Sequence, residues 1–216
     1  MERYFIFDKF NTFYDWNLIL TAKSITPPEP NTHYVNIDGM SGSLDLSEAL
    51  TGEITYKDRT IKASFWTNDG NHKAREKLLR EIIRKLHGKK VRIIEPDDTE
   101  HYFIGRINIK EENNTMAYMT FSIEAICEPW RYAMTDTVRI VDVAEKTDVV
   151  ILNNGVKTLS PMIRVTGEVN IVYEDISVQL SAGTYKISDI KLKQGFNIIK
   201  ITGSGSVTFT YREADL

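Results

Sequence analysis

Only one stretch of this chain, Asn71 to His87, spaces its apolar residues at helical intervals. Ala74, Leu78, Leu79, Ile82, Ile83 and Leu86 would fall on one stripe, with Thr67-Asn68-Asp69-Gly70-Asn71 offering several capping side chains and Gly88 as a stop. The other face carries Lys73, Arg75, Lys77, Arg80, Arg84 and Lys85 among Glu76 and Glu81, and reads as a solvated outer face. Nearly everything else alternates apolar with polar residues or is broken by turn residues. One helix among many short β-prone runs predicts a mainly β fold.

The most unusual of those runs lies ahead of the helix. Pro27, Pro28 and Pro30 forbid regular structure and lead into Tyr34 to Trp66. There Gly39 and Gly42 allow one reversal and Gly52 another. Between the turns, Leu44, Leu46 and Leu50 are set among Ser43, Asp45, Ser47 and Glu48. So short a segment cannot bury its own leucines, which must dock elsewhere. A long strand is expected to follow from Ile54 to Phe65. The segment therefore reads as an arm reaching to a neighbour, with Leu44, Leu46, Leu50, Ile54, Tyr56 and Ile61 as candidate subunit-interface residues; an ordinary meander within one chain is the alternative.

Beyond the helix, Lys90 to Glu95, Tyr102 to Lys110 and Met116 to Cys127 read as three antiparallel strands, with turns at Pro96-Asp97-Asp98 and Asn113-Asn114. From Thr135 the texture changes to eight short strands: Val138 to Val143, Val149 to Leu152, Met162 to Val165, Val169 to Tyr173, Ser177 to Leu180, Gly183 to Ser188, Phe196 to Ile201 and Val207 to Tyr211. Gly203-Ser204-Gly205 reads as a hairpin turn between the last two. Two domains are expected, 1–134 and 135–216. The first is a β-barrel-like or sandwich domain with one α-helix and a projecting arm; the second is a small β-sandwich of jelly-roll type.

Chemistry is hard to find. A net charge of −3 over 216 residues gives no reason to expect nucleic acid as a partner. No apolar run approaches the ~20 residues of a membrane span, and the start Met1-Glu2-Arg3 lacks a signal-peptide core, so synthesis and folding in the cytoplasm are expected. The single Cys127 sits on the apolar side of its strand and reads as an inert buried thiol. His101 beside Glu100 is the one close acid–imidazole pair, at a hairpin tip. Gly203-Ser204-Gly205-Ser206 lacks the last glycine and the following helix of a nucleophile elbow. No metal-ligand spacing appears. The expectation is no enzyme, no cofactor and no metal.

Several segments nonetheless form an ordered set. The Asp38-Gly39-Met40-Ser41-Gly42 turn is followed by Leu44-Asp45-Leu46, then by a Tyr-x-x-Arg-x-Ile segment from Tyr56 to Ile61. Leu86-His87-Gly88-Lys89-Lys90 ends the helix, Asp97-Asp98 leads to Tyr102 and Gly105-Arg106, and Cys127-Glu128-Pro129-Trp130 closes the set. In order and spacing this resembles the distal tail proteins (the Dit family) of long-tailed, non-contractile phages and prophages of Gram-positive bacteria. The likeness covers about the first 130 residues and loosely the rest. Ile37-Asp38-Gly39 departs from the Pro-Gly-Arg-Asp-Gly turn common in that family.

The resemblance implies a virion structural protein at the distal end of a phage tail, made in the bacterial host cytoplasm. It implies a homohexameric ring joining the tail tube protein to the tail-tip or baseplate hub protein, with a galectin-like second domain able to carry a receptor-binding protein. The competing implication is a carbohydrate-binding module in that second domain. All three tryptophans (Trp16, Trp66, Trp130) precede it, and its aromatics, Tyr173, Tyr185, Phe196, Phe209 and Tyr211, mostly occupy strand positions where burial is expected.

Overall fold

In the computed structural model, which describes residues 3–216, the chain forms two compact units, one running through Arg131 and one from Tyr132 to Asp215. The first contains β1 (Ile6–Phe7), β2 (Phe10–Asn11), β3 (Ile19–Ile25), β4 (Tyr34–Asn36), β5 (Ser43–Asp45), β6 (Arg59–Thr67), α1 (His72–Leu86), β7 (Lys90–Glu95), β8 (Asp98–Asn114) and β9 (Met119–Cys127). Seven of its strands pair in the order β2–β1–β7–β8–β9–β6–β3. The period-two pattern decides which face is inside: Ile61, Ala63 and Phe65 of β6 lie directly across from Ala125, Ile123 and Phe121 of β9. These side chains join Phe5, Phe7, Trp16, Leu18 and Ile107 in one buried cluster. Lys23 on β3 pairs with Glu95 and, at 2.7 Å, with Asp97 near the β7–β8 turn, which brings together strands distant in the sheet order.

The helix forms where its spacing predicts, but its buried stripe is a different one. Asn71 accepts the Ala74 amide at 2.9 Å as N-cap. Leu79, Ile82 and Leu86 are buried, whereas Ala74 and Ile83 are exposed. The stripe continues through Arg75, which is only 1% exposed rather than solvated. Its guanidinium donates to the carbonyls of Gly70 (2.5 Å), Thr115 (2.9 Å) and Met116 (2.8 Å). Arg75 thus ties the helix start to the β8–β9 turn. That turn lies at 115–118, beyond the expected Asn113-Asn114, because Thr115 Oγ1 accepts the Ala117 and Tyr118 amides. Tyr102 on β8 is buried, with the Arg92 guanidinium 5.0 Å from its ring centre.

The second unit follows β10 (Arg131–Ala133) and contains β11 (Thr137–Asn153), β12 (Met162–Val165), β13 (Glu168–Tyr173), β14 (Ile176–Leu180), β15 (Gly183–Lys186), β16 (Gly195–Tyr211) and β17 (Ala214–Asp215). Two pairs of the expected short strands are fused. β11 and β16 are each 17 residues long and pair without a break from Thr137 opposite Tyr211 to Asn153 opposite Gly195. On its other side β16 pairs with β13 over Lys200 to Ser204 and with β12 over Val207 to Thr210. Gly203-Ser204-Gly205 is therefore a bend within one strand, not a turn. Gly203 and Gly205 both have φ of 122°, and a Cβ on Gly203 would stand 2.2 Å from the Glu168 carbonyl oxygen. Side chains from both halves of the long ladder, including Val141, Ile151, Ile199 and Phe209, share one core, as in a β-sandwich.

Candidate functional site: an arm with no core of its own

The arm leaves the first unit on a two-chain stem. Thr26 donates its amide to Thr60 (3.0 Å), Lys57 to Glu29 (2.8 Å) and Asn31 to Thr55 (2.8 Å), and Pro30 bridges to Tyr56. Further out, β4 and β5 form a separate two-stranded sheet with Val35 opposite Leu44. Leu46 donates its amide to His33 (2.8 Å), and Ser47 Oγ accepts the His33 amide (2.9 Å). A single helical turn follows, with Gly52 donating to Glu48 at 2.8 Å. Gly39, Gly42 and Gly52 have φ of 85°, 84° and 73°. Local bonds and positive-φ glycines hold the backbone in shape.

The side chains are another matter. Tyr34, Ile37, Met40, Leu44 and Leu46 are exposed, and Leu50 is 100% exposed. None belongs to the buried cluster of the first unit. An isolated two-stranded hairpin is marginal in water, and a leucine taken from full exposure into an apolar seat gains about 1.5–3 kcal/mol. The hairpin and the turn after it thus show six large apolar side chains to solvent.

The sequence-named residues separate cleanly. Leu44, Leu46 and Leu50 stand on this exposed arm. Ile54 and Tyr56 are half-buried in the stem, where the Tyr56 ring meets Trp130 edge-on at 5.6 Å. Ile61 is 1% exposed inside the subunit's own core and offers no surface. The expected strand from Ile54 to Phe65 begins only at Arg59, and it has no free margin because β9 pairs on one side of β6 and β3 on the other. Tyr34, Ile37 and Met40 were missed by sequence reasoning. Their signal was present as apolar residues in a proline- and glycine-bounded stretch with no core period.

Elsewhere the groups with chemical potential are tied down. His101 Nδ1 lies 2.9 Å from Asp98 rather than pairing with Glu100, and Arg131 reaches the same carboxylate at 3.2 Å. Burial works to raise the Asp98 carboxyl, but the His101 bond and charge, the Glu100 amide and Arg131 outweigh it and hold the group below its usual range. Burial pushes the Cys127 thiol up to about 12, the opposite of an activated nucleophile. Among the described residues no three His, Cys, Asp or Glu side chains converge as a metal site, and no helix is long and apolar enough to cross a membrane.

One feature of the second unit departs from expectation. Phe196, placed by its strand among buried aromatics, is 78% exposed. Asn197 takes the inward position instead, bonded to the Tyr173 hydroxyl (2.9 Å), the Lys193 amide (2.9 Å) and the carbonyls of Ile151, Lys193 and Gly195. With β16 so phased, Phe196 and Ile198 point outward across from Leu152 and Val150. Beside them runs a groove of about 550 Å³, which Glu174, Lys193, Gln194 and Lys200 also line.

A solved structure shares this architecture across both units. The SPP1 Dit protein, described as a paradigm of the hub adsorption apparatus in phages that infect Gram-positive bacteria, matches with a TM-score of 0.73 over 97% of this chain and 98% of its own, at 15% identity. The fold is that of a Dit protein. No protein-family model matches the chain, and no curated protein sequence does. The likeness thus lies in the fold rather than in the sequence.

Proposed function

We propose that this chain is a distal tail protein, a structural component that closes into a ring at the far end of a phage tail. Six copies, the number the resemblance implies, would join the tail tube protein to the tail-tip hub protein and leave the second units to carry adhesion proteins. The observation that carries this reading is the arm, whose backbone is locally ordered while its leucines find no seat in their own subunit. A heterologous contact repeated around a closed ring would cover every such arm. The Dit fold over nearly the whole chain supports the same reading.

The test is multi-angle light scattering with electron microscopy on the purified protein, wild type beside Leu46→Asp and Leu50→Asp. Rings in the wild type and monomers in both variants are expected. A wild type monomeric at every concentration would count against it.

Exposed Phe196 beside a polar groove favours a second reading, a sugar-binding surface on the second unit, since an aromatic face next to hydrogen-bonding groups suits a pyranose ring. Glycan-array binding lost in Phe196→Ala would support it, and an array without signal would remove it.

A further inference from the structure

We propose that the arm of one copy seats on the exposed basic face of α1 in a second copy. The inference rests on the ring reading and specifies its contact. None of the chain's 27 Lys and Arg residues falls between Lys23 and Lys57, yet that interval holds Glu29, Asp38, Asp45, Glu48 and Glu53. Glu29 is answered at the stem by Lys57 (3.1 Å). Farther out, Asp38 and Glu48 make no ion pair among the described residues, and Asp45 is held ionised by hydrogen bonds from Ser47. The outer arm is therefore acidic and apolar at once. Two such arms repel, so back-to-back pairing is disfavoured and the partner surface must be a different one.

The first unit offers one surface of the right sign. On α1, Lys73, Lys77 and Arg84 are exposed and make no ion pair among the described residues, and Arg80 stays largely exposed while touching Glu76 at 2.9 Å. Ile83 and Ala74 lie exposed between them, and arginine and lysine stems add apolar area. A shallow hollow of about 240 Å³ opens among Lys77, Arg80, Glu81 and Arg84. The outer face of the sheet from β7 through β8 and β9 to β6 competes less well, because its lysines are already answered: Lys62 (3.6 Å) and Lys110 (2.5 Å) by Glu124, and Lys90 (2.6 Å) by Glu128.

Charge reversal in the full chain tests the pairing. Lys77→Glu/Arg84→Glu and Asp38→Lys/Glu48→Lys change only exposed side chains, and thermal melts confirm that each variant folds. Native mass spectrometry and sedimentation at low and high salt then read assembly. Each double variant should associate at least about tenfold more weakly than wild type, and wild-type association should weaken as salt is raised. An equimolar mixture should recover assembly as rings in which the two variants alternate, because each arm then meets a helix of opposite sign. Helix-reversed protein that assembles like wild type, while Leu50→Asp does not, would move the arm to another surface and leave the ring standing. Wild type that never assembles would overturn ring and contact together. Duplex DNA binding lost on helix reversal, with assembly unchanged, would assign the basic face to nucleic acid instead.

Discussion

Two antiparallel pairings in this protein, β4 with β5 and β11 with β16, rest on glycines at positive φ and have opposite fates. In the arm, nothing stands within 4 Å of where a Cβ would sit on Gly39, Gly42 or Gly52. In the second unit, the space around Gly203 is filled by the backbone of Glu168 and Val169. The ladder turns one of its faces, with Val141, Ile151, Ile199 and Phe209, into a core of its own unit, while the large apolar side chains of the outer arm stay in water. Equivalent backbone chemistry thus yields a core-forming element in one place and an exposed apolar surface in the other. The difference lies in what surrounds the strands.

The hardest blow to that contrast is Gly203→Val set against Gly39→Ala. The first must displace backbone and should cost the second unit more than about 3 kcal/mol in chemical denaturation. The second meets open space and should cost only about 1 kcal/mol of backbone strain. Equal losses would mean that the arm is packed after all.

Arg75→Met comes next. It removes three bonds to backbone carbonyls in a buried place, and about 2–4 kcal/mol should be lost from the first unit. Hydrogen exchange should rise at 115–118 before it rises in the arm. A loss under 0.5 kcal/mol would return Arg75 to the solvated face that the helical spacing suggested.

A smaller effect depends on pH. Because the Asp98 carboxyl is held below its ordinary value of 3.8, its contribution is present above that value and is lost as pH falls through the lower, folded-state value. Asp98→Asn should cost about 1–2 kcal/mol near neutral pH, and the gap from wild type should close below pH ~3.8. A gap that persists in strong acid would show that the carboxylate charge is not what matters. Smallest of all, Leu50→Ser should leave monomer stability within ~0.5 kcal/mol of wild type while abolishing assembly. A lower melting temperature in the monomer would mean that Leu50 is seated in its own subunit.

Much of the architecture was legible in the chain. The alternation of β6 and β9, the helix between Asn71 and Gly88, and the inert Cys127 follow from residue type and period alone. The resemblance carried by the Asp38 to Ile61 segments pointed to the Dit fold that the SPP1 structure shares. Three readings needed neighbours that no local pattern contains. Arg75 lies on the buried side because the Thr115 and Met116 carbonyls wait there. Phe196 points outward because Asn197 takes five hydrogen bonds inward. Gly203 sits in a bend rather than a turn because the backbone of Glu168 and Val169 on β13 lies against it.

The candidate site divides in the same way. Glycine spacing and stranded leucines were enough to mark an arm, and its lack of Lys and Arg is plain from composition. That Ile61 belongs to the core and β6 has no free margin was settled only when β3 and β9 closed on either side. Period and composition report what a segment can bury. Which face is buried, and which is left for another molecule, depends on contacts between residues far apart in the chain.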